Sequence, residues 1–287
     1  MIRRRLFFYC LLSTVYCLLL PMIVSLLTDF GTADYFVGAL KGAVLSANPS
    51  ALVVDITHEV PPYDIEAGAF TLRAAFETFP AGTVHVAVVD PGVGSRRRAV
   101  AVVGGGHAFV GPDNGLFGHV YERVRTFKVF HLTNEKYFRG DVSATFHGRD
   151  VFAPVAGALS RGVGAEELGP EVSDFVRLPS AAPARRPDGT LAAAVIHVDR
   201  FGNCVTNVTP QDLGVEAVAR GAHLVVAGRE VRAFRRFFAE AEGAEGEPFA
   251  VWGSAGFLEV AVFRDSAARV LGVGRGATVE VKCPPEG

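Results

Sequence analysis

The stretch VVDPGVGSRRRAV, residues 88–100, carries the signals from which both the fold and the site are predicted. An apolar run leads to Asp90, a Pro-Gly-Val-Gly turn follows, and three arginines precede a second apolar run. We read the apolar runs as strands, and the glycines as a tight turn that exposes the carboxylate. Arg97 can fold back to pair with Asp90 and keep it ionised. The alternative, a solvated loop with surface arginines, is our reading for Arg96 and Arg98.

Outward from this turn, strand-like apolar runs alternate with Ala- and Gly-rich helical stretches. MIVSLLTDF, ALVVDIT and TVHVAVVD read as strands, and AVAVVG with HAFVGPDN reads as a hairpin that turns at residues 104–106. Three stretches are predicted to be helices: YFVGALKGAVLSANP, DIEAGAFTLRAAFETFP with Asp64 as its N-cap, and VFAPVAGALSRG. This alternation predicts an α/β fold: a layered α/β domain with a mostly parallel sheet.

The pattern changes beyond LPSAAPARRPDG, a Pro-, Ala- and Arg-rich stretch that resembles a linker. Short strands follow, interrupted by one short helical stretch, RRFFAEAE, which is typical of a small antiparallel sheet or barrel. We therefore expect an N-terminal α/β domain over residues 22–184 and a smaller antiparallel β domain over residues 185–287.

Residues 1–21 form a separate hydrophobic segment in which three arginines precede an apolar run from Leu6 to Leu20. The run resembles the core of a signal peptide but lacks a small-x-small cleavage site, and it is shorter than the about 20 residues of a membrane span. Three interpretations remain open. The segment is an anchor or signal that contacts a membrane through residues 6–20, a start-site artefact with Met22 as the initiator, or an added core helix.

Composition excludes several classes of protein. The chain has 287 residues, of which 49% are hydrophobic and 20% charged, with a formal net charge of −2. That is a globular composition, and the near-neutral charge argues against a nucleic-acid partner. The four cysteines are scattered without a CxxC pair, so neither a zinc site nor a disulfide framework is indicated, and we expect no metal.

Candidate site residues follow the predicted strands, where ligands bind in open α/β sheets. In TDFGTADY, residues 28–35, Asp29 comes directly after the first strand, where its carboxylate can accept hydrogen bonds from a ribose diol. Asp34 lies near the start of the next helix, where the alternative role is an N-cap.

Two further clusters belong to the same domain. GPDNGLF, residues 111–117, is a strong turn signal, and a role in the site is an equal alternative. TFHGRD, residues 145–150, puts Phe146 and His147 between a strand end and a helix start.

The second domain offers HVDRFGNCVTN, residues 197–207, and WGSAGFLEVAVF, residues 252–263. A carboxamide such as that of Asn203 can both donate to and accept from a purine edge. Glu259 alternates with apolar residues in a strand, so the alternative is that it faces water. The candidates here are Asp199, Phe201, Asn203, Ser254 and Glu259.

Taken in order, TDFGTAD, DPGVGSRR, GPDNGLF, TFHGRD, DRFGN and LEVAV resemble the S-adenosyl-L-methionine (SAM) hydrolase (adenosine-forming) family, also called SAM hydroxide adenosyltransferases. That family is related to SAM-dependent fluorinases and chlorinases. The match runs from Met22 to the C-terminus. The resemblance implies hydrolysis of SAM to adenosine and L-methionine without a cofactor. It also implies a homotrimer whose active sites lie between the N-domain of one subunit and the C-domain of the next.

The resemblance assigns roles to individual residues. Asp90, Arg97 and His147 correspond to the set that handles the water attacking C5′ of SAM. Asp29 corresponds to the ribose-binding carboxylate and Asn203 to the adenine-reading amide. The other residues expected to contact the substrate are Asp34, Phe146, Asp199, Phe201, Phe238, Ser254, Glu259 and Val262. After LEVAV the chain departs from the family pattern at Phe263, Asp265 and Ser266.

The sequence leaves alternatives open for both the cellular location and the activity of the protein. SAM is a cytosolic metabolite, so the resemblance implies a cytoplasmic body, tethered to a membrane if residues 6–20 are an anchor. Arginines ahead of a spanning segment would instead favour an outside body. A SAM- or adenosine-binding protein without turnover, a SAM-dependent halogenase and a membrane-tethered scaffold are the other functions considered. The halogenases carry a long insertion where this chain is short, and they replace the Asp-Arg-His set.

Overall fold

The computed structural model describes residues 22–179 and 182–283 of the chain. The chain forms two compact units, of which the first ends at Leu178 and the second begins at Pro179. The sequence prediction put this boundary between residues 184 and 185. None of the helices in the described ranges has both the length and the apolar character that a membrane crossing requires. Residues 1–21 lie outside the described residues, and their three interpretations stay predictions.

The first unit carries the predicted alternation of strands and helices. Its elements are β1 (Ile23–Thr28), α1 (Phe36–Ala47), β2 (Leu52–Thr57), α2 (Ile65–Phe76), β3 (Val84–Val88), β4 (Ala99–Gly104), β5 (His107–Pro112), α3 (Gly118–Arg123), β6 (Phe127–His131), α4 (Ala153–Ser160) and β7 (Glu171–Val172). The predicted N-cap of α2 is confirmed, because the Asp64 carboxylate accepts a hydrogen bond from the Ala67 amide at 3.0 Å.

The sheet of this unit has the strand order β2-β1-β3-β5-β4-β6-β7. The first four strands in that order run parallel, and β4, β6 and β7 extend the sheet in antiparallel fashion. The α/β prediction is therefore confirmed. From β1 the chain passes to β2 on one side and then to β3 on the other. In open α/β sheets the crevice for ligands lies at such a change of direction, beyond the carboxyl ends of the strands.

Helices cover both faces of the sheet. Leu40 of α1 and Val155 of α4 pack with Leu26 on one face. Leu72 of α2 and Val120 of α3 pack in a second cluster on the other face. Full burial of an aliphatic side chain of this size stabilises a fold by about 1.5–3 kcal/mol. The helices packed on both faces hold β1 and β3 in place, so the residues that directly follow these strands are positioned by the sheet.

The second unit is an almost entirely antiparallel sheet. Its elements are β8 (Ala184–Arg185), β9 (Leu191–Val198), β10 (Cys204–Thr206), α5 (Val215–Ala219), β11 (His223–Val226), β12 (Arg229–Val231), β13 (Phe234–Arg235), β14 (Pro248–Trp252), β15 (Leu258–Val262), α6 (Ala267–Leu271) and β16 (Thr278–Lys282). The strand order is β12-β11-β16-β9-β10-β15-β14-β13, with β8 beside β9, and only β13 and β14 pair in parallel.

The expectation of one short helical stretch in this unit was wrong. The predicted stretch forms only a 3-10 turn at Phe238–Ala241, and α5 and α6 are additional helices. Capping explains α6, because the Ser266 hydroxyl accepts from the Arg269 amide at 3.1 Å and Gly272 ends the helix in the left-handed conformation. A helix this short is too brief to show a periodic apolar pattern.

Candidate active site

A cavity of about 420 Å³ opens in the first unit where β1 and β3 end. Asp29, one residue after β1, and Asp90, two residues after β3, both line it, together with Phe146 and His147. Three candidate clusters that lie far apart in the sequence therefore share one cavity, at the position where an open α/β sheet binds its ligand.

Arg97 joins Asp90 to His147. Its Nε lies 3.0 Å from each carboxylate oxygen of Asp90, and its Nη2 donates to Oδ2 of the same carboxylate. The same Nη2 lies 2.8 Å from Nδ1 of His147. The side chains of Arg97 and Asp90 are only 9% and 5% exposed, so this ion pair is shielded from solvent. Charge-assisted, forked hydrogen bonds of this kind fix orientation as well as charge.

The contact with Arg97 determines the protonation of His147. A guanidinium has only donors, so Nδ1 of His147 must accept, and the ring proton is assigned to Nε2. Burial lowers the pKa of His147, and the positive charge of Arg97 lowers it further. His147 is therefore a neutral ring whose remaining polar group is an N–H donor.

A π-helical turn at Gly148–Phe152 sets the position of His147. The sequence predicted a helix from residue 151, whereas the helical path begins at this turn and continues into α4. Asp150 is fully buried and accepts from the Ser143 amide at 2.9 Å and from Arg149 Nε at 2.7 Å. Burial acts to raise the pKa of Asp150, but these hydrogen bonds outweigh it and lower the pKa. The ionised carboxylate thus ties down both ends of the segment that carries His147.

Gly94 allows the turn after Asp90 to approach that segment. Its φ is +77°, and a Cβ at this position would lie 2.3 Å from the carbonyl oxygen of Ala144. Only glycine tolerates both the left-handed conformation and such a close backbone approach. The sequence predicted a turn here, but it contained no sign that the turn packs against the residues before His147.

Asp29 is held by the loop that follows β2. The Tyr63 amide donates to Oδ2 of Asp29 at 2.8 Å. Burial raises the pKa of Asp29, the Tyr63 amide opposes that shift, and the charge of Asp90 adds to it. Tyr63 itself lines the cavity with a side chain that is 74% exposed and with a φ of +67°. Sequence reasoning missed it, because an uncommon positive φ at a non-glycine residue has no pattern signal.

Aromatic rings form a wall of the same cavity. The ring of Phe146 lies 5.8 Å from that of Phe30 and 5.4 Å from that of Phe36, both in edge-to-face geometry. Phe30 and Phe36 were not predicted. Asp34 is exposed and is not among the residues that line this cavity. It is not the N-cap of α1 either, since that position is Tyr35 and no side chain caps it.

The GPDNGLF turn, residues 111–117, supports the backbone that leads to Asp90. Asn114 donates through Nδ2 to the carbonyl of Val89, the residue before Asp90, at 2.8 Å. Asp113 is buried and accepts from Arg98 Nε at 2.9 Å and from the Val176 amide at 2.8 Å. The interpretation of Arg98 as a solvated side chain was therefore wrong: it pairs with Asp113 and also with Asp174.

The second unit has its own pocket of about 500 Å³. Phe201, Asn203, Phe238 and Val262 line it. So do residues 263–266, which include the positions Phe263, Asp265 and Ser266 that depart from the family pattern. Nδ2 of Asn203 donates to Oδ2 of Asp199 at 2.9 Å, while Oδ1 of Asp199 accepts the amides of Phe201 and Asn203. Asp199 thus orients the carboxamide and closes the turn that carries it.

Glu259 does not face water, contrary to the alternative considered for it, because it is only 9% exposed. Burial raises its pKa, and the negative charge of Asp199 raises it further. The carboxylate lies over Gly253, where a Cβ would be 1.8 Å from Oε1. The neighbouring Ser254 is exposed and does not line the 500 Å³ pocket. Within the ranges that the structure describes, no group of three or more His, Cys, Asp and Glu side chains is arranged to hold a metal ion.

Two family models cover most of the chain. The SAM hydroxide adenosyltransferase N-terminal domain matches residues 24–169, and the C-terminal domain of the same family matches residues 193–280. The chain belongs to the SAM hydroxide adenosyltransferase family. The family resemblance of the ordered motifs is thereby confirmed.

Curated relatives agree with this membership. A relative from Salinispora tropica, named (R)-S-adenosyl-L-methionine hydrolase, is 41% identical over 90% of this chain and 97% of its own. A protein of the same name from Thermus thermophilus is 40% identical over 90% of this chain and 98% of its own. Relatives named fluorinase are more distant, at 27–28% identity. A solved structure of an uncharacterized conserved protein from Thermotoga maritima has a TM-score of 0.84, 34% identity, and covers 92% of this chain and 100% of its own.

Proposed function

We propose that this protein hydrolyses SAM to adenosine and L-methionine by in-line attack of a water molecule on C5′. The observation that carries the proposal is the hydrogen-bonded series Asp90–Arg97–His147 beside a cavity that also contains Asp29. The hydrolase relatives at 34–41% identity support the same activity.

Asp90, Arg97 and His147 hold the attacking water in this proposal. The Nε2–H of His147 donates to the water oxygen, and a carboxylate oxygen of Asp90 accepts one of its hydrogens. Arg97 bonds to both groups and so sets the distance between them. Holding a nucleophile in line supplies a large part of a barrier reduction, because the entropy of alignment is paid on binding.

The proton leaves late and goes to Asp90. As the C5′–O bond forms, the C5′–S bond breaks and its electron pair stays on sulfur. The new oxonium is strongly acidic, so even a carboxylate paired with arginine can take its proton. Oδ1 of Asp90 is the better acceptor, since it receives one hydrogen bond from Arg97 whereas Oδ2 receives two. General-base assistance of this kind contributes about 10²–10⁴-fold.

The leaving group needs no help. A sulfonium departs as a neutral thioether, so no acid has to protonate it and no cofactor enters the reaction. Adenosine, methionine and one proton are the products, which balances the charge of the sulfonium. SAM is thus the substrate, and the protein works without a resident cofactor.

Nucleoside recognition is divided between the two pockets. Asp29 accepts hydrogen bonds from the ribose hydroxyls, and the aromatic wall of Phe30, Phe36 and Phe146 excludes bulk water from C5′. In the second unit, the oriented carboxamide of Asn203 reads the adenine edge, with Phe201 and Phe238 against the base. These two residues are 78% and 44% exposed, so they are accessible to a ligand.

The epimer of SAM with the R configuration at sulfur is the preferred substrate. The curated hydrolase relatives carry this epimer in their name. Inversion at sulfur exchanges the methyl group and the amino acid chain. A site that fixes the ribose at Asp29 and receives the amino acid near Asp199 and Glu259 therefore discriminates between the two epimers.

A homotrimer completes the site in this proposal, with the first unit of one subunit and the second unit of its neighbour binding one substrate. The exposed aromatic residues Phe201 and Phe238 at the second pocket support it, since exposed apolar side chains beside a pocket can form part of a contact site. Mixing Asp90→Asn and Asn203→Ala subunits is the test. Regained activity is expected, because some sites then combine two intact halves, and inactive mixtures would contradict a shared site.

A cytoplasmic location follows from the same proposal, because SAM is a cytosolic metabolite. Fractionation of cells that express the chain from Met1 and from Met22 tests it. Activity of the Met22 chain in the soluble fraction is expected, and activity of the Met1 chain in membranes would indicate a tethered cytoplasmic body. Activity on the outer face of the cell would refute the cytoplasmic location.

The experiment that tests the function is incubation of purified protein with each SAM epimer, followed by chromatography of nucleosides and methionine. Equal amounts of adenosine and methionine are expected, faster from the R epimer, with Asp90→Asn as the inactive control. Chloride is added in a parallel reaction. Tight adenosine binding without release of methionine would favour a binding protein, and a chlorinated nucleoside would favour a halogenase.

A further inference from the structure

A buried histidine outside the predicted site lies directly behind Asp29. His58 follows β2, is 3% exposed, and its Nδ1 is 2.8 Å from the hydroxyl of Thr28, the last residue of β1. Its Nε2 is 3.1 Å from Oδ1 of Asp55, whose Oδ2 pairs with Lys41 Nζ at 2.6 Å. Neither His58 nor Asp55 is used in the proposed chemistry.

The Thr28 hydroxyl links the His58 ring to the backbone that follows Asp29. The Thr28 hydroxyl accepts from the Phe30 amide at 3.2 Å and is also hydrogen-bonded to Nδ1 of His58. On its other side the ring meets the Asp55 carboxylate at ion-pair distance, although Nε2 makes no hydrogen bond there. The series therefore runs from a surface ion pair, through a buried ring, to the backbone amide that follows Asp29.

The same histidine joins the two loops that hold the ribose carboxylate. Its carbonyl accepts from the Gly31 amide at 2.8 Å, and the Val60 amide reaches the carbonyl of Thr28 at 3.3 Å. These contacts bring the loop after β2 to the place where the Tyr63 amide meets Asp29. A displaced ring would loosen both loops at the point where Asp29, Phe30 and Tyr63 line the cavity.

We propose that the Asp55–His58–Thr28 series is a positioning device that sets Asp29 for ribose binding. The inference rests on the proposed function, because it takes Asp29 to be the ribose ligand. His58 touches no substrate and acts through Asp29 and its loop. Its loss therefore weakens nucleoside binding and leaves the chemical step at C5′ almost unchanged.

His85 provides a matched control, because it allows the effect of losing any buried histidine to be separated from an effect on Asp29. His85 is also buried. It lies in strand β3 of the same unit, and its Nδ1 is 2.6 Å from the Ser25 hydroxyl of strand β1. Ser25 lies three residues before Thr28, away from the strand end that carries Asp29. His85→Leu removes the same kind of contact without touching the cavity loops.

The test measures the Kd of adenosine by calorimetry, kcat and KM for SAM, and the Tm of the full-length variants. His58→Leu is expected to raise Kd and KM about tenfold with kcat changed less than about twofold, because the buried Thr28 hydroxyl loses its hydrogen-bond partner. His58→Asn recovers part of the affinity, since its amide can bond the Thr28 hydroxyl. Asp55→Asn, at the half-exposed end, shifts Kd in the same direction and serves if His58→Leu does not fold. His85→Leu lowers Tm and leaves Kd unchanged.

A double-mutant cycle separates positioning from independent effects. Asp29→Asn combined with His58→Leu is expected to bind adenosine no more weakly than Asp29→Asn alone, because coupled residues are non-additive. Three results would overturn the inference: a double variant whose Kd rises by the product of the two single effects, an unchanged Kd in a folded His58 variant, or an equal loss of affinity in His85→Leu. If the wild type still hydrolyses SAM, the proposed function stays intact in each case. A wild type that neither binds adenosine nor cleaves SAM would overturn both.

Discussion

Nη2 of Arg97 and Nδ1 of His147 lie 2.8 Å apart, although the two residues are far apart in the chain. Because the guanidinium can only donate, this contact makes His147 an acceptor at Nδ1 and a donor at Nε2. The imidazole is then unsuited to be the base, and the carboxylate of Asp90 is left to receive the proton. The arrangement assigns orientation to His147 and proton acceptance to Asp90.

Replacing Arg97 with lysine is expected to lower kcat at least about tenfold, because a point charge cannot hold a carboxylate and an imidazole in one plane. The Kd of adenosine should change little, since Arg97 does not bind the ribose in this account. Steady-state kinetics and calorimetry measure the two quantities. Arg96→Lys is the control, because Arg96 is exposed next to it. Wild-type turnover in Arg97→Lys would contradict the role.

The pH profile of kcat should show an acid limb from His147. Burial and Arg97 lower the pKa of His147 below its ordinary value of 6.5, so the ring stays neutral at that pH. Further acidification protonates Nδ1, which then repels Arg97 and breaks the series, and kcat falls. A plateau that extends down through pH 6.5 is expected. A midpoint above 6.5, or a rate that rises on acidification, would refute a neutral His147.

Gly94→Ala should slow the reaction without removing a functional group. A Cβ at this left-handed position would lie 2.3 Å from the Ala144 carbonyl oxygen and would push the segment before His147 away from Arg97. A kcat loss of about tenfold or more is expected, in line with the cost of misplacing a catalytic group by about 1 Å. Gly140→Ala is the control, since a Cβ there meets nothing within 4 Å. Equal activity of the two variants would show that the close approach is unimportant.

Acid should destabilise the first unit through a buried histidine pair, His85 and His107, whose ring nitrogens lie 3.2 Å apart. Burial, and then the nearby His107, lowers the pKa of His85 to about 3, and burial lowers the pKa of His107, with Glu77 opposing. The unfolded chain takes up a proton near pH 6.5 that the folded His85 refuses, so stability falls as pH drops from about 6.5 towards 3. Urea unfolding at pH 7 and pH 4.5 measures this. His85→Leu should lose less stability between these pH values than the wild type, and an equal loss would contradict the account.

Alternation of apolar runs and helical stretches was enough to predict the α/β unit. β1 and β3 are continuous buried or half-buried runs, and β2 is a mostly apolar run with two exposed residues. The pairing of Asp90 with Arg97 also followed from spacing around a glycine turn. His147 could be joined to them only through the family resemblance, since nothing local shows which distant loop reaches a strand end.

Other features were invisible because they depend on tertiary contacts. Tyr63 enters the cavity through a positive φ, and His58 acts from behind Asp29 through a hydroxyl. Arg98 resembles its neighbours in sequence but finds a buried partner in Asp113. Glu259 alternates as a solvent-facing residue would, yet the sheet of the second unit buries it. Periodicity predicts which face a residue occupies, not which loop covers that face.

Hydrolysis of SAM in water enriched in ¹⁸O, followed by mass spectrometry of the adenosine, tests the attack on C5′ most directly. The account predicts one ¹⁸O atom at the 5′ oxygen of adenosine and none in methionine, because solvent attacks carbon and the sulfonium leaves intact. Adenosine that carries no label would contradict the account, since its 5′ oxygen would then come from another donor than water.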